Sequence, residues 1–178
     1  MSLILAEENE AYGLDCTNAI WATDEIHARY HNAGLHNLSD ADFIIETDSG
    51  LIIIEFKNAL IPGAANPGAF NPMEDKKISS VTRKYYDTLH YLTLVQKNGP
   101  KRYVYIVEAE HSDVVLRSRL RERLKKELPF KLQNDLNTGF KLIEDVEVLS
   151  IAEWNSHPEY KDYPFVNLSE NQSFSIHF

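Results

Sequence analysis

The spacing of apolar residues changes along the chain, and each change predicts a new element of secondary structure. Between Asp15, which can cap a helix, and Gly34, which can end one, apolar residues recur every three or four positions. This spacing predicts a first helix over residues 15–34, and it returns over residues 78–95 and 112–128. Short apolar runs predict strands at 41–46, 51–57, 103–107 and 146–149, and a short helix follows at 151–154.

Two of these strands form a predicted hairpin, and the chain then crosses over to a third strand. Residues 47–50 have the composition of a turn between the strands at 41–46 and 51–57. Residues 58–77 contain three prolines and no periodic pattern, so they predict a loop of unusual length. The helix at 78–95 then connects the second strand to the strand at 103–107, which predicts parallel neighbours in one sheet.

The second hairpin strand has an anomalous end. Leu51 to Ile54 is apolar on both faces, as expected for a strand covered on both sides, yet the strand continues with Glu55-Phe56-Lys57. Because side chains alternate along a strand, Glu55 and Lys57 emerge on one face and Phe56 on the other. An acid and a base therefore share one face of a core strand.

The register of the hairpin predicts which residues face this acid and base. If Glu46 pairs with Leu51, Asp42 lies opposite Glu55 and Asp40 opposite Lys57, unless a bulge shifts the pairing. Two facing carboxylates repel each other unless one is protonated or a cation lies between them. Oxygen ligands at this density suit Mg²⁺.

Such a group has the parts needed to hydrolyse a phosphodiester. A metal held by Asp42 and Glu55 would polarise the phosphoryl oxygen and acidify a water, and Lys57 would offset charge growing in the transition state. The alternative interpretation is structural. In that case Asp40 and Lys57 form a cross-strand ion pair, and Glu55 lies at a solvated strand end.

The hairpin residues resemble the PD-(D/E)XK nuclease superfamily. Residues 41–45, then a turn, then residues 53–58 look like that family's Asp strand followed by its Glu-x-Lys strand. The resemblance implies an α/β fold with a restriction-endonuclease-like αβββαβ core, in which helices flank a mixed central sheet. We expect a single domain over residues 1–178, with this core at about 15–150 and a C-terminal extension at 151–178.

The resemblance also implies roles for individual residues. Asp42, Glu55 and the carbonyl of Phe56 would bind Mg²⁺, for which Mn²⁺ can substitute, and Lys57 would orient or activate the attacking water. An acid on the first helix often contributes in the family, and Glu25 is the first candidate, with Asp24 second. The sequence departs from the family pattern at Ala41, where the family's name expects proline.

Charge is distributed unevenly along the chain. The net charge is −9, but residues 1–75 carry −11, residues 76–131 carry +8 and residues 132–178 carry −6. A polyanion can therefore approach one face, although a solvated charge pattern explains the same distribution. In the basic block, Arg83 and Lys84 follow the long loop, where the family often places residues near the scissile phosphate; a solvent-exposed helix face is the alternative.

Composition limits the setting of the protein. Hydrophobic and charged fractions of 43% and 25% exclude a disordered or fibrous chain. The single Cys16 cannot form an internal disulfide, and no stretch reaches the roughly 20 apolar residues of a membrane span. We therefore expect a cytoplasmic protein without membrane contacts.

Together these observations predict a metal-dependent nuclease that acts on DNA in preference to RNA. Its partner would be nucleic acid, and a homodimer would let so small a nuclease cut both strands. The alternative is a catalytically inactive binding module on the same fold, within a defence or toxin-related protein complex.

Overall fold

The structure, a computed structural model, describes residues 3–61 and 67–171 of the chain. The strands in these ranges are β1 (Ile4–Ala6), β2 (Tyr12–Asp15), β3 (Trp21–Thr23), β4 (Phe43–Thr47), β5 (Gly50–Asn58), β6 (Lys101–Glu108), β7 (Asp145–Leu149) and β8 (Phe165–Asn167). The α-helices are α1 (Ile26–Asn32), α2 (Asp75–Leu94), α3 (Val114–Glu127), α4 (Phe130–Leu136), α5 (Ile151–Ser156) and α6 (Leu168–Asn171). None of these helices has the length and apolar character needed to cross a membrane.

A mixed five-stranded sheet of order β3-β4-β5-β6-β7 forms the centre of the molecule. β3, β4 and β5 pair antiparallel, whereas β5, β6 and β7 pair parallel. The predicted α/β class, with a mixed sheet flanked by helices, is therefore confirmed. The predicted hairpin and the parallel pairing of the strands at 51–57 and 103–107 are also confirmed.

Both faces of this sheet are covered, which explains the continuous apolar run of β5. Ile53 belongs to a first core that includes residues of α1, α2 and α3. Its neighbour Ile54 points the other way, into a second core with Leu14 of β2, Trp154 of α5 and Phe165 of β8. Successive side chains of this buried strand therefore pack alternately into the first and the second core.

Helix α2 is fixed against the sheet by hydrogen bonds at two points along its length. The Tyr103 hydroxyl on β6 donates to the Val81 carbonyl over 2.8 Å, inside the first core. Before β4, the Ala41 N–H donates to Thr88 Oγ1 over 3.0 Å. Because these bonds bind α2 to β6 and to the entry of β4, they also set the position of Lys84 between them.

The first predicted helix is wrong in its N-terminal half. Asp15 ends β2, and its Oδ1 accepts from the Thr17 N–H over 2.9 Å, so it stabilises a turn and not a helix. Residues 21–23 form β3, an edge strand that pairs with β4 on one side. The helix begins at Ile26, and the predicted stop at Gly34 is confirmed by its left-handed φ of 74°.

The order of elements also differs from the αβββαβ expectation. In the described part of the chain two strands, β4 and β5, lie between α1 and α2, because β3 precedes α1. β1, β2 and β8 form a second, antiparallel sheet that joins the two ends of the chain. The predicted C-terminal extension thus contributes α5 and β8 to the second core, while residues 172–178 lie outside the described residues.

The predicted long loop connects β5 to α2. Its described parts are residues 59–61 and 67–74, which include a 3-10 turn at Pro67–Ala69. Residues 62–66 of the predicted loop fall outside the described ranges. Phe70 packs against the first core, so the end of the loop returns to the sheet just before α2 begins.

Candidate functional site

The β4–β5 hairpin brings two carboxylates together beside the start of β4. The predicted register is confirmed, since the ladder runs without a bulge up to Phe43 opposite Ile54. Asp42 and Glu55 are the next residues on the two sides. Asp42 Oδ2 accepts a hydrogen bond of 2.6 Å from the Phe56 N–H, which holds Asp42 across from the end of β5.

Lys84 of α2 supplies a third charged group. Its Nζ lies 2.7 Å from Glu55 Oε1 and 3.6 Å from Asp42 Oδ1. Lys84 comes three residues after the buried Val81 and four before the buried Thr88, which places it on the stripe of α2 that faces the sheet. We call Asp42, Glu55 and Lys84 the acid-pair site.

Two carboxylate oxygens of the acid-pair site, Glu55 Oε2 and Asp42 Oδ1, can still bind a cation. Lys84 binds Glu55 Oε1, and the Phe56 N–H binds Asp42 Oδ2. Glu55 Oε2 is buried and has no hydrogen-bond partner within the described ranges. A buried carboxylate oxygen in this position is satisfied by a proton or by a cation.

Burial and repulsion govern the protonation of the acid-pair site. Burial raises the pKa of Glu55 well above its usual range, and Asp42 raises it further, whereas Lys84 opposes the shift. Burial also raises the pKa of Asp42, although Lys84 and the Phe56 N–H lower it. Burial lowers the pKa of Lys84, but the two acids outweigh it and raise that pKa above its usual value. Lys84 therefore stays protonated, and its single ammonium charge compensates only one of the two carboxylates.

The donor set of the acid-pair site fits a hydrated divalent cation. No group of three or more His, Cys, Asp or Glu side chains in residues 3–61 and 67–171 could hold a metal ion. Mg²⁺ does not need such a cage, because it keeps several waters and binds through one or two carboxylates plus substrate phosphates. Glu55 Oε2 and Asp42 Oδ1 provide two oxygens for Mg²⁺ or Mn²⁺, whereas Ca²⁺ takes six to eight oxygen ligands.

Phe56 has a clear structural role beside the acid-pair site. Its ring lies on the opposite side of the sheet from Glu55, in the second core, with its centroid 5.0 Å from that of Phe165. Its backbone N–H fixes Asp42. The role of the Phe56 carbonyl as a metal ligand stays a prediction.

Lys57 lies apart from the ion pairs of the acid-pair site. Its side chain is exposed, and its Nζ lies 5.8 Å from the centroid of the Phe70 ring. Among the described residues, Lys57 forms no ion pair with either acid. It also forms none with Asp40, whose Oδ1 lies 3.2 Å from His27 Nδ1. The alternative cross-strand pair between Asp40 and Lys57 is therefore wrong, and the ammonium that contacts both acids belongs to Lys84.

The two predicted first-helix acids have different surroundings. Glu25 precedes α1, is exposed, and pairs with Arg29 over 2.7 Å, so its carboxylate is engaged outside the acid-pair site. Asp24 instead lines a cleft beside that site, where burial raises its pKa. Of these two acids, the second candidate is the one that faces the cleft. Arg83 is exposed on α2, as expected, whereas its neighbour Lys84 is partly buried.

A cleft of about 490 Å³ opens beside the acid-pair site, with Asp42 and Lys84 in its wall. The other acids that line it are Glu7, Glu8, Asp24 and Asp40. Glu7 holds the turn after β1, because its Oε1 accepts from the Ala11 N–H over 2.8 Å. Sequence spacing gives no signal for Glu7 and Glu8, since the folding of the N-terminal sheet brings them to the cleft.

Comparison of the chain with models of known protein families, with curated proteins and with solved structures gives no match. The chemistry of the acid-pair site therefore has to be argued from its own geometry.

Proposed function

We propose that the protein is a divalent-cation-dependent nuclease that hydrolyses phosphodiester bonds at the acid-pair site. The single observation that carries this proposal is the convergence of Asp42 and Glu55 with Lys84, combined with a buried Glu55 oxygen that has no hydrogen-bond partner among the described residues. A protein gains no stability from burying two carboxylates side by side, so such a pair is typical of a site that binds a cation.

The surrounding elements support a restriction-endonuclease-like core as part of this proposal. The acids lie on the β4–β5 hairpin, α2 crosses behind them, and β6 returns parallel to β5. Glu55 lies near the carboxyl end of β5, and ligand sites of open α/β sheets commonly lie outside the carboxyl ends of parallel strands. The different position of β3, ahead of α1, is where this core departs from the expected order.

Each side chain has a defined task in the proposed reaction. Asp42 and Glu55 would hold Mg²⁺ or Mn²⁺, which supplies Lewis acidity and a water of lowered pKa when bound. Lys84 donates to Glu55 Oε1, which leaves Oε2 as the Glu55 oxygen that would bind the cation. Its ammonium also offsets negative charge that grows on a phosphoryl group bound next to the acids. Lys57, two residues after Glu55 on β5, lies on the same face of the strand and can contact the substrate.

A second candidate is a catalytically inactive binding module with the same fold. It is favoured by one observation, because Lys84 already supplies the acids with a cation from the protein itself. Under this proposal the acid-pair site is a structural ion-pair network, and it neither binds Mn²⁺ nor cleaves nucleic acid.

A cleavage assay separates the two candidates. End-labelled single- and double-stranded DNA, and RNA of the same sequence, are incubated with Mg²⁺, Mn²⁺ or a chelator. We expect metal-dependent cleavage, with DNA the better substrate, and a loss of about 100-fold or more in Asp42→Asn. The matched control is Asp48→Asn, because Asp48 is an exposed acid in the turn of the same hairpin.

The outcomes of this assay are decisive in both directions. Asp48→Asn should cleave like the wild type, and circular dichroism should show that Asp42→Asn is folded. Equal cleavage by wild type and Asp42→Asn would reveal a contaminating nuclease and contradict the proposal. Comparison of Lys84→Ala with Lys57→Ala then tells which ammonium the reaction needs more.

A further inference from the structure

Two lysines share one aromatic ring beside the acid-pair site. The Nζ atoms of Lys57 on β5 and Lys77 on α2 lie 5.8 Å and 5.6 Å from the centroid of the Phe70 ring. Neither lysine forms an ion pair with a carboxylate in the part of the chain that the structure describes. We call Lys57 and Lys77 the lysine pair.

The ring gives the lysine pair a fixed position without neutralising it. Phe70 packs against the first core, so its ring is anchored, and each ammonium is attracted to the aromatic face. Two positive charges near one ring repel each other, and an anion bound beside them offsets that repulsion. The lysine pair thus carries two positive charges, uncompensated among the described residues, that can bind an anion.

The strand and the helix displace the lysine pair from the acids in the same direction. On β5, Lys57 lies two residues beyond Glu55, a separation of about 7 Å. On α2, Lys77 lies seven residues before Lys84, on the same stripe and about 10 Å along the axis. The Lys84–Glu55 contact is one position, and the lysine pair is the other. The two positions are therefore about 7–10 Å apart.

We propose that the lysine pair binds a backbone phosphate of a polynucleotide, next to the phosphate held at the acid-pair site. This inference rests on the proposed nuclease function. Its physical basis is the spacing, since about 7–10 Å is comparable with the through-space distance between neighbouring phosphates of one strand, which is longer than the axial advance of about 3.4 Å per nucleotide. A backbone contact of this kind positions the substrate and is independent of base sequence.

The charges around the acid-pair site define the direction in which such a chain leaves it. The cleft beside the site is lined by Glu7, Glu8, Asp24 and Asp40, which repel phosphates. Neither lysine of the pair is among the described residues that line this cleft, and both lie near Phe70, in the loop before α2. The backbone therefore extends from the acids over the lysine pair and away from the acidic cleft.

A binding measurement without divalent cations tests this inference. The probe is a fluorescein-labelled single-stranded DNA of about 12 thymidines, followed by anisotropy in the presence of a chelator. One lost contact to a single strand lowers the salt slope of log affinity by about 0.7, which corresponds to about eightfold at about 50 mM salt relative to 1 M. We expect both changes in Lys77→Gln.

Lys76→Gln is the matched control, because it makes the same change one residue away on an exposed position that does not contact Phe70. It should weaken binding less than about twofold. An unchanged Lys77→Gln, an equal loss in Lys76→Gln, or a wild type that does not bind the probe would each overturn the inference.

The two proposals can fail separately. Metal-dependent cleavage that is lost in Asp42→Asn while Lys77→Gln binds normally would leave the nuclease standing and remove the phosphate contact. Binding that depends on Lys77 without any cleavage would retain the phosphate contact and contradict the nuclease.

Discussion

Two of the described sites in which a cation on a helix meets a partly or fully buried carboxylate from another element, the Arg117–Glu153 pair and the acid-pair site, differ in how their charges are balanced. In the Arg117–Glu153 pair, Arg117 on α3 donates to Glu153 Oε1 on α5 over 2.8 Å, and also to the Ser112 carbonyl. Glu153 Oε2 accepts from the Ser150 N–H, so both oxygens have a protein partner. One positive and one negative charge cancel within this pair.

The acid-pair site has one ammonium for two carboxylates, and Glu55 Oε2 has no partner in the described residues. The pKa shifts follow from this difference. Burial raises the pKa of Glu153, but Arg117 and the Ser150 N–H outweigh burial and lower it overall, whereas the pKa of Glu55 is raised. Both oxygens of Glu153 are satisfied, although Arg117 Nε is buried without a hydrogen-bond partner in the described residues, whereas Glu55 Oε2 is left for a proton or, as we propose, a cation.

The largest expected difference is in stability after removal of each cation. Arg117→Met should cost about 3 kcal/mol, because it leaves a partly buried carbonyl and a carboxylate without their donor. Lys84→Met should cost about 1 kcal/mol, because the acid pair can keep a proton in place of the ammonium. Urea unfolding measures both, and equal losses would show that the two clusters are equally structural.

The second difference is the response to a divalent cation. Free Mn²⁺ at about 100 times its Kd should stabilise the wild type by about 2.7 kcal/mol, seen as a rise in Tm. Asp42→Asn should lose this rise, since it removes one of the two ligands. Glu153→Gln should keep it, because both oxygens of Glu153 are already bound within the protein. A rise that survives in Asp42→Asn would place the cation elsewhere.

The third difference is the sign of the pH dependence, with a limit of about 1.4 kcal/mol per pH unit for one proton. The folded state holds the Glu55 proton above the ordinary pKa of 4.5, so wild-type stability falls as pH rises above that value. Glu55→Gln should therefore gain stability relative to wild type from about pH 4.5 upward. Thermal unfolding at a series of pH values measures the gain.

Glu153 should behave in the opposite way. Its lowered pKa stabilises the fold above 4.5, and this contribution is lost as pH falls through the lowered value. Glu153→Gln should be less stable than wild type at neutral pH, and the deficit should shrink below about pH 4.5. The same sign for both variants would contradict the contrast between the clusters.

The smallest expected effect concerns the cap that orients Glu153. Ser150 Oγ accepts from the Glu153 N–H over 3.1 Å in a capping box at the start of α5. Ser150→Ala should cost about 1 kcal/mol and leave the Mn²⁺-induced rise in Tm unchanged. A loss of that rise would couple the two clusters, which lie on different elements.

The proximity of Asp42 and Glu55 is predictable from the sequence, because it depends only on the number of residues between each acid and the hairpin turn. The turn at 47–50 fixes the register, and Asp42 then lies beside Glu55 by counting back from it. The long helices and central strands were also predictable, since their apolar spacing is regular. The position of Lys84 on a helix was predictable, but its contact with the two acids was not. That contact depends on how α2 crosses the sheet. The crossing is set by hydrogen bonds that Val81 and Thr88 accept from residues distant in the chain.

The N-terminal region was the least predictable. Ala19 and Ala22 fit helical spacing, but they lie beside and within a short edge strand that is stabilised by pairing with β4. The second sheet joins Gly13 to Val166, far apart in the chain, and local patterns carry no information about such a pair. The choice of Glu25 as a catalytic acid came from the same misplaced helix, and its carboxylate instead pairs with Arg29.

The chain has two tryptophans, and each reports on a different face of the central sheet. Trp21 is partly exposed, packs against the first core, and lies 5.1 Å from Lys97 Nζ. Trp154 is fully buried in the second core and stacks on Tyr160 at 4.4 Å. Fluorescence of Trp21→Phe and Trp154→Phe would therefore follow the opening of one layer at a time, and any lag between the two signals would measure how tightly the layers unfold together.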